Sequence, residues 1–162
     1  MKSAISKQEL LDNMHAVARE FVDAVHRFPE EEWSQGRYEE GWTAKDILAH
    51  VASIEWTYPR LLTLAEAPPK DREPEKEPRG VVNDYNHRQV DKRKGTPVDE
   101  LLAEFQRNRA ATMAAVAEAD ESLLEERVRS AGGTEGTAAE VLNFVAVIHV
   151  RQHLEDLNGS AP

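Results

Sequence analysis

The chain has 162 residues and a mass of 18.2 kDa, a size typical of one compact domain. It contains no cysteine, which excludes disulfide scaffolds, thiolate metal sites and a cysteine nucleophile. Lys and Arg number 20 against 30 Asp and Glu, and the formal net charge of -10 argues against nucleic acid or an anionic membrane surface as a partner. Without a signal-type or membrane-spanning apolar run, the sequence predicts a soluble, cytoplasmic protein.

Four long segments carry apolar residues at three- and four-residue spacing, the pattern of amphipathic helices. These predicted helices cover about 6–28, 43–66, 96–119 and 137–158. Pro59 lies inside the second one and predicts a kink, because its ring clashes with the carbonyl four residues earlier. No segment alternates with a two-residue period, so a β-sheet has no obvious source and the fold class is all-α.

Each predicted helix begins with residues that can satisfy the free backbone N–H groups of a helix start. Three starts read as a capping box, in which a hydroxyl residue is followed three positions later by an acid. The fourth combines a threonine cap with a proline in the first turn. Gly159 predicts a C-terminal cap for the last helix. The start signals are Ser6 with Glu9, Thr43 with Asp46, Thr137 with Glu140, and Thr96 with Pro97 and Asp99.

A long connection, residues 67–95, separates the second and third predicted helices. Its first half is rich in proline and charge and predicts a solvated loop. Its second half, about 81–94, has helical spacing and predicts a short extra helix that covers one end of the bundle. Since the chain shows no internal repeat and no second core, we expect a single domain over residues 1–162.

Three of the six histidines fall on predicted buried faces. His149 and His153 are four apart and therefore share one face of the last helix. His50 lies on the apolar stripe of the second helix. Two readings stay open: hydrogen-bonded histidines at a core edge, or ligands of a divalent ion that accepts their lone pairs. The face that carries His149 and His153 also carries Leu142, Ala146 and Leu157.

Helix levels test whether the three histidines can meet. At a rise of about 1.5 Å per residue, His50 lies roughly 10 Å from the start of its helix, and the other two lie roughly 10 Å from the end of theirs. These levels coincide only if the second and fourth helices are antiparallel. An up-down-down-up bundle has that arrangement, and residues 67–95 are long enough for the crossover that it needs.

The segment GWTAKDILAHVASIE, followed by a helix with two histidines four apart, resembles the DinB-like four-helix bundle superfamily. That superfamily includes the N-terminal domain of mycothiol-dependent maleylpyruvate isomerase and the bacillithiol transferases. The resemblance implies an up-down-down-up bundle with a metal-binding triad of His50, His149 and His153. It also implies a homodimer as a common state of the family.

Three protein ligands leave coordination positions open, which is the pattern of catalytic metal sites. The first hypothesis is therefore a metal-dependent thiol S-transferase that acts on a small molecule with a low-molecular-weight thiol cosubstrate. Zinc and nickel are the expected ions, and iron and manganese stay open because no thiolate narrows the choice. The alternatives are a non-catalytic metal- or ligand-binding protein of the stress response, and a bundle whose histidines bind nothing.

Other polar residues are weaker candidates. Asp46 lies one turn before His50 and is either a hydrogen-bond partner of that ring or a helix cap. Asn108 and Thr112 lie close to the apolar stripe of the third helix and are candidates for lining a pocket. No catalytic residue is predicted. We expect His15 and His26 at surface or boundary positions, and Trp42 and Trp56 as packing anchors. For His87 we expect a solvated position, with an approach to the end of the bundle as the alternative.

Overall fold

A computed structural model of the chain describes residues 4–36, 38, 41–72 and 79–158, and most of this part is helical. Gly159 lies outside the described residues. Within them, no helix is both long and apolar enough to cross a membrane. The α-helices are α1 (Lys7–Arg27), α2 (Ala44–Ile54), α3 (Arg60–Glu66), α4 (Arg79–Lys92), α5 (Val98–Glu118), α6 (Glu121–Leu124), α7 (Ala138–Asn143) and α8 (His149–Asn158).

Helix α1 begins where the sequence predicts it, because the Ser6 hydroxyl accepts a hydrogen bond from the Glu9 N–H at 3.1 Å. Its apolar stripe packs against α5 and α8, while α2 packs against α5, α4 and α8. Phe21 of α1 and Phe105 of α5 meet in the centre with ring centroids 4.9 Å apart. The fully buried stripe of α1 is Leu10, Met14, Val17 and Phe21.

The prediction of one helix over 43–66 is wrong, because that segment forms α2, a 3-10 turn (Glu55–Thr57) and α3. Pro59 has no N–H to donate to the carbonyl of Glu55. That carbonyl instead accepts from the Tyr58 N–H at 3.2 Å, which is the i to i+3 bond of a 3-10 turn. The predicted kink is thus confirmed: the α-helical hydrogen bonds are interrupted between α2 and α3, while Tyr58 and Pro59 keep helical dihedral angles.

Helix α5 begins at Val98 and not at Thr96, which corrects the predicted start. Pro97 takes the cap position in an extended conformation, and its carbonyl accepts from the N–H groups of Glu100 and Leu101 at 3.1 and 3.0 Å. The Thr96 N–H is already bonded to the Arg93 carbonyl at 3.0 Å, so Thr96 belongs to the turn that follows α4.

The last predicted helix is interrupted by a π turn over residues 144–148, which separates α7 from α8. A complete capping box of Thr137 and Glu140 starts α7, as predicted. In the π turn the His149 N–H donates to the Phe144 carbonyl, five residues back. A single extra residue in the turn rotates everything after it by about 100° relative to a continuous α-helix.

This rotation corrects the predicted face of the last helix. Val150 and Leu154 are buried and continue the core stripe of α8, together with Leu157. His149 and His153 are half-buried and lie at the edge of that stripe. The two histidines are therefore flanked by the core and do not occupy its centre.

A short antiparallel hairpin, β1 (Arg127–Arg129) and β2 (Glu135–Thr137), lies where no strand was predicted. Val128 fixes it to the core by burial, and Arg129 pairs across the strands with Glu135 at 3.2 Å. Strands of three residues are too short to show an alternating pattern. The hairpin delivers Thr137 directly to its cap position on α7.

Candidate metal centre

The structure brings His50, His149 and His153 together at the contact between α2 and α8. The ring of His50 lies 5.7 Å from that of His149 and 5.0 Å from that of His153, measured between centroids. The rings of His149 and His153 lie 4.5 Å apart. Each residue offers one ring nitrogen, and these nitrogens all lie within 4.8 Å of one another. The three side chains can hold a metal ion.

Burial keeps the three rings neutral at neutral pH. His50 is 4% exposed, and burial, aided by the neighbouring histidines, holds its pKa well below the usual value. Burial lowers the pKa of His149 to about 4, with a further contribution from His153. It lowers the pKa of His153 to about 4 as well. Neutral imidazole is the form that binds divalent metals.

Two observations test whether these residues fit a divalent ion. The Nδ1 atom of His50 is buried without a hydrogen-bond partner among the described residues. Nitrogens that share a tetrahedral zinc ion lie about 3.4 Å apart, given Zn–N bonds of about 2.1 Å. The 3.0 Å between the Nε2 atoms of His149 and His153 and the 4.8 Å limit for the whole set bracket that spacing. The residues fit the ion.

Asp156 lies beside the cluster and was not among the residues that the sequence singled out. Its Oδ2 is 3.5 Å from the Nδ1 of His153, three residues earlier on α8. Burial raises the pKa of the Asp156 carboxyl above its usual value. A carboxylate next to the outer nitrogen of a ligand histidine fixes the tautomer and orientation of the ring. The i, i+3 spacing of His153 and Asp156 was the available sequence signal.

Trp42 covers the cluster on the side of α4. Its ring centroid lies 5.0 Å from that of His50 and 5.4 Å from that of His87. The Trp42 Nε1–H donates to His87 Nδ1 at 3.3 Å, so His87 is half-buried against the site and the prediction of a solvated position is wrong. Trp42 is a packing anchor, as predicted, but its packing partner is a candidate ligand.

Asp46 acts as a helix cap. One carboxylate oxygen accepts from the Thr43 N–H at 3.0 Å, and both accept from Lys94 Nζ at 3.0 Å. Burial opposes ionisation, but the bonds from Thr43 and Lys94 hold the pKa of Asp46 below its usual value. These contacts correspond to the capping alternative, and His50 is not among the observed partners of Asp46.

Asn108 and Thr112 tie α5 to its surroundings. Asn108 Nδ2 donates to the Ala52 carbonyl of α2 at 3.1 Å, and Thr112 Oγ1 donates to the Asn108 carbonyl at 3.1 Å. Neither lines the cavity of about 340 Å³ between α1 and α5, whose wall includes Phe105 and Arg109. The structure does not bring Asn108 or Thr112 into that cavity.

The remaining sequence candidates lie on exposed surfaces. His15 and His26 are exposed on α1, as expected. Trp56 is 44% exposed, with the Arg60 guanidinium 5.0 Å above its ring, so its assignment as a packing anchor is wrong.

A buried ion pair at the centre of the bundle was missed. Arg109 is 3% exposed and donates through Nε to Glu55, which is fully buried. Burial raises the pKa of Glu55 to about 7 against the attraction of Arg109. Tyr58 brings a buried hydroxyl with no partner among the described residues, and burial raises its pKa strongly. The sequence signal for this pair was an acidic and a basic residue on the apolar stripes of two predicted helices.

Comparison with known proteins identifies the family of the chain. The family model of the DinB superfamily matches residues 13–157. The chain belongs to the DinB superfamily, which confirms the resemblance found in the sequence. The comparison with curated proteins finds no match.

Two solved structures share the fold. One is the mycothiol-dependent maleylpyruvate isomerase, at 21% identity, and the other is a histidine-to-alanine mutant of that isomerase, at 20% identity. Each has a TM-score of 0.74 and aligns with 99% of this chain. The chain spans 65% of the length of each isomerase chain, and at this identity the likeness concerns the fold alone.

Proposed function

We propose that the chain is a divalent-metal-binding protein that catalyses transfer of a low-molecular-weight thiol to a small electrophile. The convergence of His50, His149 and His153 carries the proposal, because three neutral imidazoles lie within reach of one ion and the Nδ1 atom of His50 is buried without a partner among the described residues. Membership of the DinB superfamily, and structural neighbours whose name includes dependence on mycothiol, support the choice of a thiol.

The residues of the chain have distinct roles in the proposed reaction. His50, His149 and His153 would hold the ion and leave coordination positions for the reactants. A bound ion would act as a Lewis acid that lowers the pKa of a thiol or polarises an acceptor. Because the chain has no cysteine, the reacting sulfur arrives on the cosubstrate. Trp42 limits the access of water to His50 from the side of α4.

A conjugation assay tests this function. The protein loaded with one equivalent of zinc or nickel is incubated with monochlorobimane and, in turn, mycothiol, bacillithiol, glutathione or cysteine. In the reaction the sulfur forms a bond to carbon, chloride leaves with the electron pair, and the thiol proton passes to solvent. We expect fluorescent conjugate to form faster than the uncatalysed background only with metal present.

The histidine variants provide the controls. His149→Ala is expected to lose both bound metal and conjugation, whereas His26→Ala, which changes an exposed histidine of α1, keeps both. Metal-loaded wild type that forms no conjugate above background with any of the four thiols would contradict the transferase proposal.

Zinc or nickel are the proposed ions, with iron and manganese as further choices. An imidazole-only donor set suits zinc and nickel, and all four ions bind nitrogen ligands. Elemental analysis of purified protein, followed by reconstitution with each ion, ranks them by retained stoichiometry.

A non-catalytic metal-binding protein of the stress response is the second candidate. The specific observation in its favour is that the cavity between α1 and α5 is lined by none of the three histidines, while Trp42 packs on His50. This candidate predicts stoichiometric, slowly exchanging metal with no conjugation activity, so the same assay separates it from the transferase.

The arrangement of the whole chain belongs to the same proposal. We infer a single domain with an up-down-down-up bundle. The meeting of His50 with His149 and His153 supports this topology, because the levels of these residues along their predicted helices coincide only if the two helices are antiparallel. We further propose that the protein is a cytoplasmic homodimer. Its partner is a small-molecule substrate, and neither nucleic acid nor a membrane. Sedimentation of the purified protein tests the dimer.

A further inference from the structure

We propose that Arg109 is a positioning residue: it fixes the π turn of residues 144–148 and so directs His149 and His153 toward His50. The metal-binding consequence rests on the proposed function. The structural part concerns the protein without metal and can be tested separately.

The π turn determines where the two histidines lie. Before it, α7 buries Val141 and Leu142; after it, α8 buries Val150 and Leu154. The extra residue advances the core stripe by one position, a rotation of about 100°. Without that residue, the stripe of α7 would continue through the histidines and bury them in the core. With it, they lie at the edge that faces α2.

Arg109 donates to a backbone carbonyl inside this turn. Its Nη2 donates to the Ala146 carbonyl at 2.6 Å, and its Nη1 donates to the Met14 carbonyl of α1 at 2.9 Å. Both acceptors belong to elements that pack against each other. The side chain of one residue of α5 thus holds α1 and the π turn in a fixed relation.

Glu55 holds the guanidinium in this orientation. It accepts from Nε, so the Nη atoms are directed at the two carbonyls. Glu55 begins the 3-10 turn immediately after α2, the helix that carries His50. The chain of contacts therefore runs from the end of α2 through Glu55 and Arg109 to Ala146, three residues before His149. A planar guanidinium can serve these three acceptors at once, whereas a lysine ammonium cannot match that fork geometry.

The variant Arg109→Lys tests the proposal, because it keeps the positive charge opposite Glu55 and removes the fork. The matched control is Arg93→Lys, which breaks a half-buried arginine–glutamate pair between the turn after α4 and Glu104 of α5. Two quantities are measured in each variant. One is the hydrogen-exchange rate of the His149 amide in the metal-free protein, and the other is the affinity and visible spectrum of bound Co²⁺.

We expect the His149 amide to exchange at least about tenfold faster in Arg109→Lys, while the Leu10 amide of α1 stays protected. Affinity for Co²⁺ falls about tenfold or more, as expected when the support of a ligand is lost, and the spectrum changes. Arg93→Lys leaves both quantities unchanged. Unchanged exchange at His149 in a folded Arg109→Lys protein would overturn the proposal.

The role of Arg109 can still be tested if the variant does not fold or if the wild type binds no Co²⁺. If Arg109→Lys does not fold, the double variant Glu55→Gln with Arg109→Met removes both buried charges, and the same two expectations apply to it. If wild type binds no Co²⁺, the metal function fails, and the exchange rate of the His149 amide alone decides the role of Arg109.

Discussion

The Nε2 atoms of His149 and His153 lie 3.0 Å apart, so in the metal-free protein one ring donates its proton to the other. Binding of an ion through both atoms requires that proton to move to the opposite nitrogen of its ring. For His153 that nitrogen is Nδ1, and Asp156 Oδ2 is 3.5 Å from it. When His153 is the donor, the site therefore contains an acceptor for the displaced proton.

Asp156→Asn is expected to weaken metal binding by about tenfold or more, because an amide is a poorer acceptor for the proton on His153 Nδ1. Competition titration with a chromogenic chelator measures the change. Glu155→Gln is the matched control, since Glu155 is the exposed neighbour on the same helix. Equal affinity of the two variants would show that Asp156 does not support the ligand.

The stability of the metal-free protein is expected to fall on acidification. His149 and His153 have pKa values of about 4 in the fold against a usual 6.5. The unfolded chain therefore binds more protons between these values, and the stabilising contribution, complete above pH 6.5, is lost as the pH falls toward 4. The loss is on the order of 2–3 kcal/mol for each ring.

Urea unfolding of the chelator-treated protein at several pH values measures this loss. The double variant His149→Gln with His153→Gln should show a flatter pH dependence over the same range. His26→Gln should follow the wild type. If the unfolding free energy of the wild type depended on pH as weakly as that of the double variant, the loss of stability could not be attributed to His149 and His153.

Glu55 contributes to the pH dependence of stability with a sign opposite to that of the two histidines. Its pKa of about 7 lies above the usual 4.5, so the folded protein binds the proton first. Wild type therefore gains stability relative to Glu55→Gln as the pH falls from about 7 to 4.5, by about 1.4 kcal/mol per unit of pKa shift. Parallel unfolding curves of the two proteins at pH 5 and pH 8 test this. A difference that is independent of pH would rule it out.

Gly136→Ala is expected to destabilise the protein by about 1–2 kcal/mol. Gly136 has a φ of +159°, and an added Cβ would lie 3.3 Å from both the Cβ and the Oε1 of Glu140, which closes the capping box of α7. Gly95→Ala is the control, since a Cβ there has nothing within 4 Å. Thermal unfolding of the two variants should differ, and equal melting temperatures would refute this account of Gly136.

Local features of the fold were predictable from sequence because their causes are local. The capping boxes at Thr43 and Thr137 need residues only three positions apart. Pro59 breaks its helix through its own missing N–H. The sequence also favoured the grouping of the three histidines, because their helix levels coincide in an antiparallel arrangement and because the resemblance to the DinB-like superfamily implies that triad.

The π turn could not be predicted in the same way. The run FVAVI is apolar throughout and fits an α-helix equally well. The carbonyl of Ala146 is bonded by Arg109, which is 37 positions away in sequence. The face that α8 presents thus depends on a tertiary contact, and the expectation that Leu142, His149 and His153 share one face failed for that reason.

The position of Trp42 gives the protein an optical signal of its own. The chain has three tryptophans, and Trp33 is buried against Phe28 while Trp56 is exposed. Trp42 alone among them contacts a candidate ligand in the described structure, through the ring of His50. A paramagnetic ion at the three histidines should quench the emission of Trp42, so occupancy can be followed by fluorescence in unlabelled protein, with Trp42→Phe as the silent reference.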